Sequence, residues 1–114
     1  GSLRIVATHL GLRPAERREQ VERLVQLFTW HEQDRSVLVG DLNEWFLWGR
    51  PLRYLHKYFD ETPAVPTFPS HMPVFALDRV WTHPGSILRE LKAHNSALAR
   101  VASDHLPLVA TLDL

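Results

Sequence analysis

From residue 36 the chain runs Ser-Val-Leu-Val-Gly-Asp, with three consecutive apolar side chains and no polar one between them. A strand with one wet face alternates apolar and polar residues, because successive side chains point to opposite faces. Residues 36–40 do not alternate, so both faces must be covered, as in the middle of an α/β sheet. The preceding segments fit that reading. Residues 3–9, Leu-Arg-Ile-Val-Ala-Thr-His, form a β-rich run. A turn at Gly11 follows, and Pro14 suits the first position of a helix, where its missing N–H costs nothing. From residue 15 to about residue 30, Val21, Leu24, Val25 and Phe28 recur at the spacing of one helical face. Arg17, Arg18, Glu19, Glu22 and Arg23 take the other side, which reads as solvated, with Glu19 and Arg23 spaced to pair along the helix. Strand, helix and strand with short connections imply two sheet strands joined by a helical crossover.

The rest of the chain supplies the remaining elements. Residues 45–58 read as partly helical, with Gly49-Arg50-Pro51 breaking or restarting the helix. Trp45, Phe46, Leu47 and Trp48 form an apolar cluster that we assign to the core in preference to a lipid- or base-facing surface. A proline-rich loop holds Pro63, Pro66, Pro69 and Pro73 around Thr67-Phe68. Residues 75–81 and 87–94 read as strands separated by a His83-Pro84-Gly85 turn, and residues 106–114 as a closing strand. At 114 residues and 45% hydrophobic, the chain suits one small globular unit. With no cysteine, disulfides and thiolate metal sites are excluded. Thirteen basic residues balance thirteen acidic ones, which argues against binding nucleic acid by general phosphate attraction. All but two of those basic residues are arginine, the better phosphate fork. No apolar run reaches the roughly 20 residues of a membrane span.

Four segments place polar residues where apolar strands end: Thr8-His9-Leu10, Gly40-Asp41-Leu42-Asn43, Leu77-Asp78-Arg79-Val80 and Ser103-Asp104-His105-Leu106-Pro107. Strand ends on α/β scaffolds are where functional groups are displayed. Each segment alone is more often a turn or a cap. Taken together and in this order, they resemble the motif series of the C-terminal half of the endonuclease/exonuclease/phosphatase superfamily, the DNase I-like proteins. The match runs from Thr8 to Pro107, and the pairing of GDLN with SDHLP is its most specific part.

The resemblance implies a metal-dependent phosphoester hydrolase, acting as a phosphodiesterase, nuclease or phosphatase. Phosphate-ester hydrolysis needs a positioned water, a group to activate it, and neutralisation of the charge building on phosphorus. A hard divalent cation held by oxygen ligands suits that task. The resemblance implies Mg2+, with Mn2+ as the alternative, held by Asp104, Asp41 and Asn43. Its catalytic residues fall on His9, Asp41, Asn43, Asp78 and His105. Asp41 would activate the nucleophile, Asn43 would donate to a phosphate oxygen, and Asp78 would orient His105. His9 would contact the scissile phosphate or assist the leaving group. The substrate is a phosphate ester in nucleic acid, a phospholipid headgroup or a small phosphodiester.

The expected fold is α/β: half of a DNase I-like α/β sandwich, with a mixed, mostly antiparallel sheet and flanking helices. Gly1-Ser2 reads as an expression scar and residues 3–114 as the C-terminal half of such a domain. The principal metal-binding glutamate of the superfamily belongs to the N-terminal half, and neither Glu44 nor Glu61 stands in its context. Half a sandwich exposes the apolar face that its other half covers. The partner is therefore the missing N-terminal half or a second copy in a homodimer, of which we favour the second. The alternative to a hydrolase is a catalytically incomplete domain that binds phosphate ligands or a partner half.

Overall fold

A computed structural model describes residues 3–27, 35–47 and 49–114. Strand β1 covers Leu3–His9, helix α1 Pro14–Gln26 and strand β2 Arg35–Asp41. Helix α2 covers Arg50–Leu55 and strand β3 Asp78–His83. A 3-10 turn at Gly85–Ile87 leads into strand β4, Leu88–Ala93, followed by helix α3, Ala97–Ala102, and strand β5, Leu108–Leu112. The fold is mixed α/β with two sheets and flanking helices. In the first sheet, ordered β1-β2-β3, β1 runs parallel to β2 and β2 antiparallel to β3. In the second, β4 and β5 pair antiparallel.

The apolar run at residues 37–39 lies in the middle strand, as its lack of alternation requires. Register and alternation divide the first sheet into two faces. One carries Val6, Leu38 and Trp81 in a row, and α1 and α2 pack on it. The core there joins Val21, Leu24 and Val25 of α1 to Leu52 and Leu55 of α2, with Leu10, Leu42 and Phe59. Each of these side chains contributes about 1.5–3 kcal/mol by leaving water. The other face carries the rows Ile5–Val37–Thr82 and Ala7–Val39–Val80. Val37, Val80 and Thr82 are buried there, while Ile5 at the β1 edge is 63% exposed.

Several sequence expectations need correction. α1 ends at Gln26; Phe28 and Trp30, expected to extend it, lie outside the described residues, as do His31 and Trp48. Arg17, assigned to the solvated face, is buried and pairs with buried Glu44 at 3.8 Å. Its guanidinium also donates to the Gly11 and Leu12 carbonyls, so it clamps the turn before α1. β3 begins at Asp78, not residue 75, because Phe75 instead bridges Phe68 within the proline-rich loop. Ile87 closes the 3-10 turn, and β4 starts after it. β5 is confined to Leu108–Leu112. The sequence reading has no counterpart for α3, whose N-terminus is capped by Ser96 Oγ accepting from the Ala99 N–H.

Candidate active site

The register of the first sheet ends in the row His9–Asp41–Asp78. The three side chains come from different strands, two parallel and one antiparallel, and pairing alone brings them together. Gly40 makes the close approach feasible. Its φ is +151°, and a Cβ there would overlap the Thr8 carbonyl oxygen. Past the row the chain turns sharply. Asn43 adopts a left-handed φ of 52°, which asparagine tolerates better than most residues. Its backbone N–H donates to Asp41 Oδ1 at 2.9 Å, closing an Asx turn that aims the carboxylate. The Asn43 side-chain amide donates to the Leu10 carbonyl, tying the exit of β1 to the exit of β2. Asn43 is buried in this position, and the amide expected from sequence to donate to a phosphate oxygen gives one of its N–H groups to Leu10.

His105 reaches the row from the loop after α3. That loop is held by two side chains the sequence reading did not single out for a role. Ser70 Oγ donates within reach of the Arg100 and Ser103 carbonyls, at 3.0 and 2.7 Å, and the Ser70 N–H donates to the Asp104 carbonyl. Thr67 accepts the Leu106 N–H at its carbonyl, and its hydroxyl donates to Asp78 Oδ2 at 2.6 Å. Both residues are buried. The proline-rich loop therefore positions the histidine and one of its carboxylates together. Only its density of prolines around a Thr-Phe pair could have marked it in the sequence.

The resulting geometry centres on His105. Its Nδ1 lies 2.6 Å from Asp78 Oδ2, and its Nε2 lies 3.7 Å from Asp41 Oδ2. His9 Nε2 approaches the same Asp41 oxygen at 3.4 Å from a mostly exposed ring. Asp104 stays at the rim, 79% exposed, its nearest oxygen 4.0 Å from His105 Nε2. Burial by itself would lower the His105 pKa. The hydrogen bond to Asp78 and the charges of Asp78, Asp41 and Asp104 outweigh it, and the pKa is raised. Phe68 packs on the imidazole with ring centroids 5.0 Å apart.

Asp41, Asp78 and His105 each offer a ligand atom, all within 4.8 Å of one another. Of the metal ligands expected from sequence, Asp41 belongs to that set and the Asp104 carboxylate does not. With Nδ1 donating to Asp78 Oδ2, a neutral His105 turns the Nε2 lone pair toward Asp41 Oδ2. Two acceptors 3.7 Å apart repel unless a proton or a cation lies between them. The donor chemistry therefore fits a divalent ion, although Asp78 Oδ2 is already engaged by both His105 and Thr67. A set of two carboxylates and one imidazole does not by itself choose among Mg2+, Mn2+ and Zn2+.

The aromatic segment after GDLN also departs from expectation. Trp45, Phe46 and Leu47 are 43%, 57% and 57% exposed, not core. Arg79, on the neighbouring position of β3, is buried with its guanidinium carbon 4.8 Å from the Trp81 ring centre.

No protein-family model matches the chain. The protein called uncharacterized protein YbhP, from Escherichia coli K12, from E. coli O6:H1 and from Shigella flexneri, is 32% identical over 120 residues in each case. The alignment takes in 99% of this chain and 47% of each relative, so the chain spans about half the length of the curated relatives it matches. Among solved structures, a functionally unknown conserved protein from Enterococcus faecalis V583 superposes with a TM-score of 0.78 at 16% identity, over 96% of this chain and 49% of that one. Beta toxin from Staphylococcus aureus superposes with a TM-score of 0.66 at 15% identity, over 95% of this chain and 52% of the toxin. At such identities the likeness is one of fold.

Proposed function

We propose that this chain carries the catalytic side of a metal-dependent phosphoester hydrolase of the endonuclease/exonuclease/phosphatase superfamily. The observation that carries the reading is His105, held between Asp78 at Nδ1 and Asp41 at Nε2. Four motifs in the superfamily's order converge on that point, and the fold shared with beta toxin is consistent with it. Asp78 fixes the tautomer and ring orientation, so Nε2 is the working nitrogen. In its charged form Nε2 donates to an oxygen of the phosphate group, and in its neutral form it accepts a proton from water. Asp41, buttressed by the Asn43 N–H, orients that water or passes its proton. His9, exposed at the rim, is placed to meet the leaving group. A Mg2+ or Mn2+ ion held by Asp41, with Asp104 or His105 beside it, would neutralise charge building on the phosphate.

A second reading has its own support. Few oxygen ligands converge here, whereas Mg2+ prefers six in octahedral array. The chain would then bind phosphate or a partner half without turning over. Hydrolysis of bis-p-nitrophenyl phosphate with and without Mg2+ or Mn2+ separates the two. We expect metal-dependent turnover that Asp41→Ala and His105→Ala each lower by roughly 10²–10⁴-fold. Absence of turnover, with retained binding of inorganic phosphate, would establish the second reading.

A further inference from the structure

On the helix-covered face of the first sheet, β3 places polar side chains that the hydrolase reading does not use. Arg79 and Trp81 alternate with Val80 and so share that face. Both are buried, at 4% and 0% exposure. The Arg79 guanidinium carbon lies 4.8 Å from the Trp81 ring centre. The ring of His56, the C-cap of α2, meets the same indole edge-on with centroids 5.9 Å apart. Thr62 Oγ1 donates to the Val80 carbonyl at 2.7 Å, which pins the segment after α2 against β3.

Donors in this group outnumber acceptors. Arg79 Nε and Nη1, Trp81 Nε1 and His56 Nε2 are all buried without a hydrogen-bond partner among the described residues. Glu61 is the acid whose charge acts on both His56 and Arg79. Its carboxylate approaches His56 Nδ1 at 3.8 Å from a side chain 82% exposed, and it leaves Arg79 Nε and Nη1 unmet. Burial holds His56 and Arg79 below their ordinary pKa values, and Glu61 offsets only part of that. The group is therefore short of negative charge as well as of acceptors. A buried donor left unpaired is costly, and a buried cation left unpaired costs more. A water molecule supplies an acceptor but no charge, whereas an anion supplies both. Burial of the donors limits that anion to a small one.

We propose that Arg79 and Trp81, with His56 beside them, form an internal site for a halide-sized monoanion. The site lies on the opposite face of the sheet from the His9–Asp41–Asp78 row, and it does not rest on the hydrolase reading.

A ligand that binds only the folded chain raises its Tm. Thermal unfolding in sodium chloride and sodium bromide, against sodium gluconate at equal ionic strength, therefore tests the site. Expected is a saturable rise of about 4 °C or more in either halide and none in gluconate. Trp81→Phe removes one donor and keeps a ring in the core, so half-saturation should need roughly tenfold more halide. Mere loss of packing would lower the Tm equally in both salts. Crystals of the unaltered chain grown in bromide give a measurement that no variant can confound, with an anomalous peak expected in contact with the Arg79 guanidinium. Equal Tm in halide and gluconate, or unchanged half-saturation in Trp81→Phe, would overturn the proposal. So would water or the Glu61 carboxylate at that position in the crystals. A bromide peak without a rise in Tm would mark an adventitious ion only, and would overturn it too.

Discussion

His105 has two nitrogens with different neighbours, and this gives it a definite pH behaviour. Asp78 at 2.6 Å stabilises the imidazolium, and Asp41 faces the other nitrogen. Its pKa in the folded chain is therefore above the ordinary value of about 6.5. A raised folded-state pKa stabilises the fold fully below about pH 6.5, and that increment is lost as pH rises through the folded-state value. In metal-free buffer, an NMR titration of His105 should give a midpoint above 6.5, and Asp78→Asn should bring it down. The same variant should flatten the loss of stability on the alkaline side. A midpoint indifferent to Asp78→Asn would mean that the short contact does not persist in solution. For catalysis the sign is the reverse: a neutral Nε2 accepting a proton is populated only above the raised pKa. Turnover that uses His105 as a base should rise with pH through that value.

At the level of elements, strand pairing builds the site, and Gly40 shows how tightly. Its positive φ and the absence of a Cβ let β2 lie against the Thr8 carbonyl. Gly40→Ala should destabilise the fold by about 2–3 kcal/mol, since the clash is with backbone and cannot be relieved by a rotamer. A denaturant midpoint unchanged from the parent chain would show that the two strands can separate there at no cost. The glycine and the Asp that follows it were legible in the sequence, because an unbroken apolar run ending in Gly-Asp has few structural meanings. The strand end at His9 was legible from the β-rich run before it, whereas Asp78, read inside a strand from residue 75, starts β3. α3 was not: six residues with one buried alanine carry too little periodicity to register. Arg17 was misplaced because helical spacing sorts residues by polarity, while the buried Glu44 that draws it inward lies 27 residues further along. Trp45, Phe46 and Leu47 were misplaced because apolarity alone cannot distinguish a core segment from an exposed loop. Thr67 and Ser70 act through hydrogen bonds to residues 11 to 39 positions away, contacts that no local pattern announces.

For the whole molecule, the unfinished surface is the sheet face opposite the helices. Val37, Val80 and Thr82 are buried on it, yet Ile5 stands open at the β1 edge. Between β2, β3 and β5 runs a groove of about 540 Å³ with Val39, Val80, Leu108 and Ala110 along its walls and Asp78 and His105 at one end. An apolar groove that ends in titratable groups is a poor face to leave in water, and covering it would also dry the site and strengthen its electrostatics. We propose that a second copy supplies the cover in this chain, each protomer laying its open face on the other's. Sedimentation velocity should then give twice the monomer mass, and Ile5→Asp should return the chain to a monomer without unfolding it, because the side chain it replaces is already exposed. If the dimer completes the site, turnover per protomer should rise with concentration and fall in Ile5→Asp, although Ile5 lies four residues from His9 along β1. A monomer at working concentration would sink the pairing. The half of each curated relative that the alignment leaves uncovered would then be the next candidate to occupy the face, testable by adding that segment and measuring whether Ile5 becomes protected.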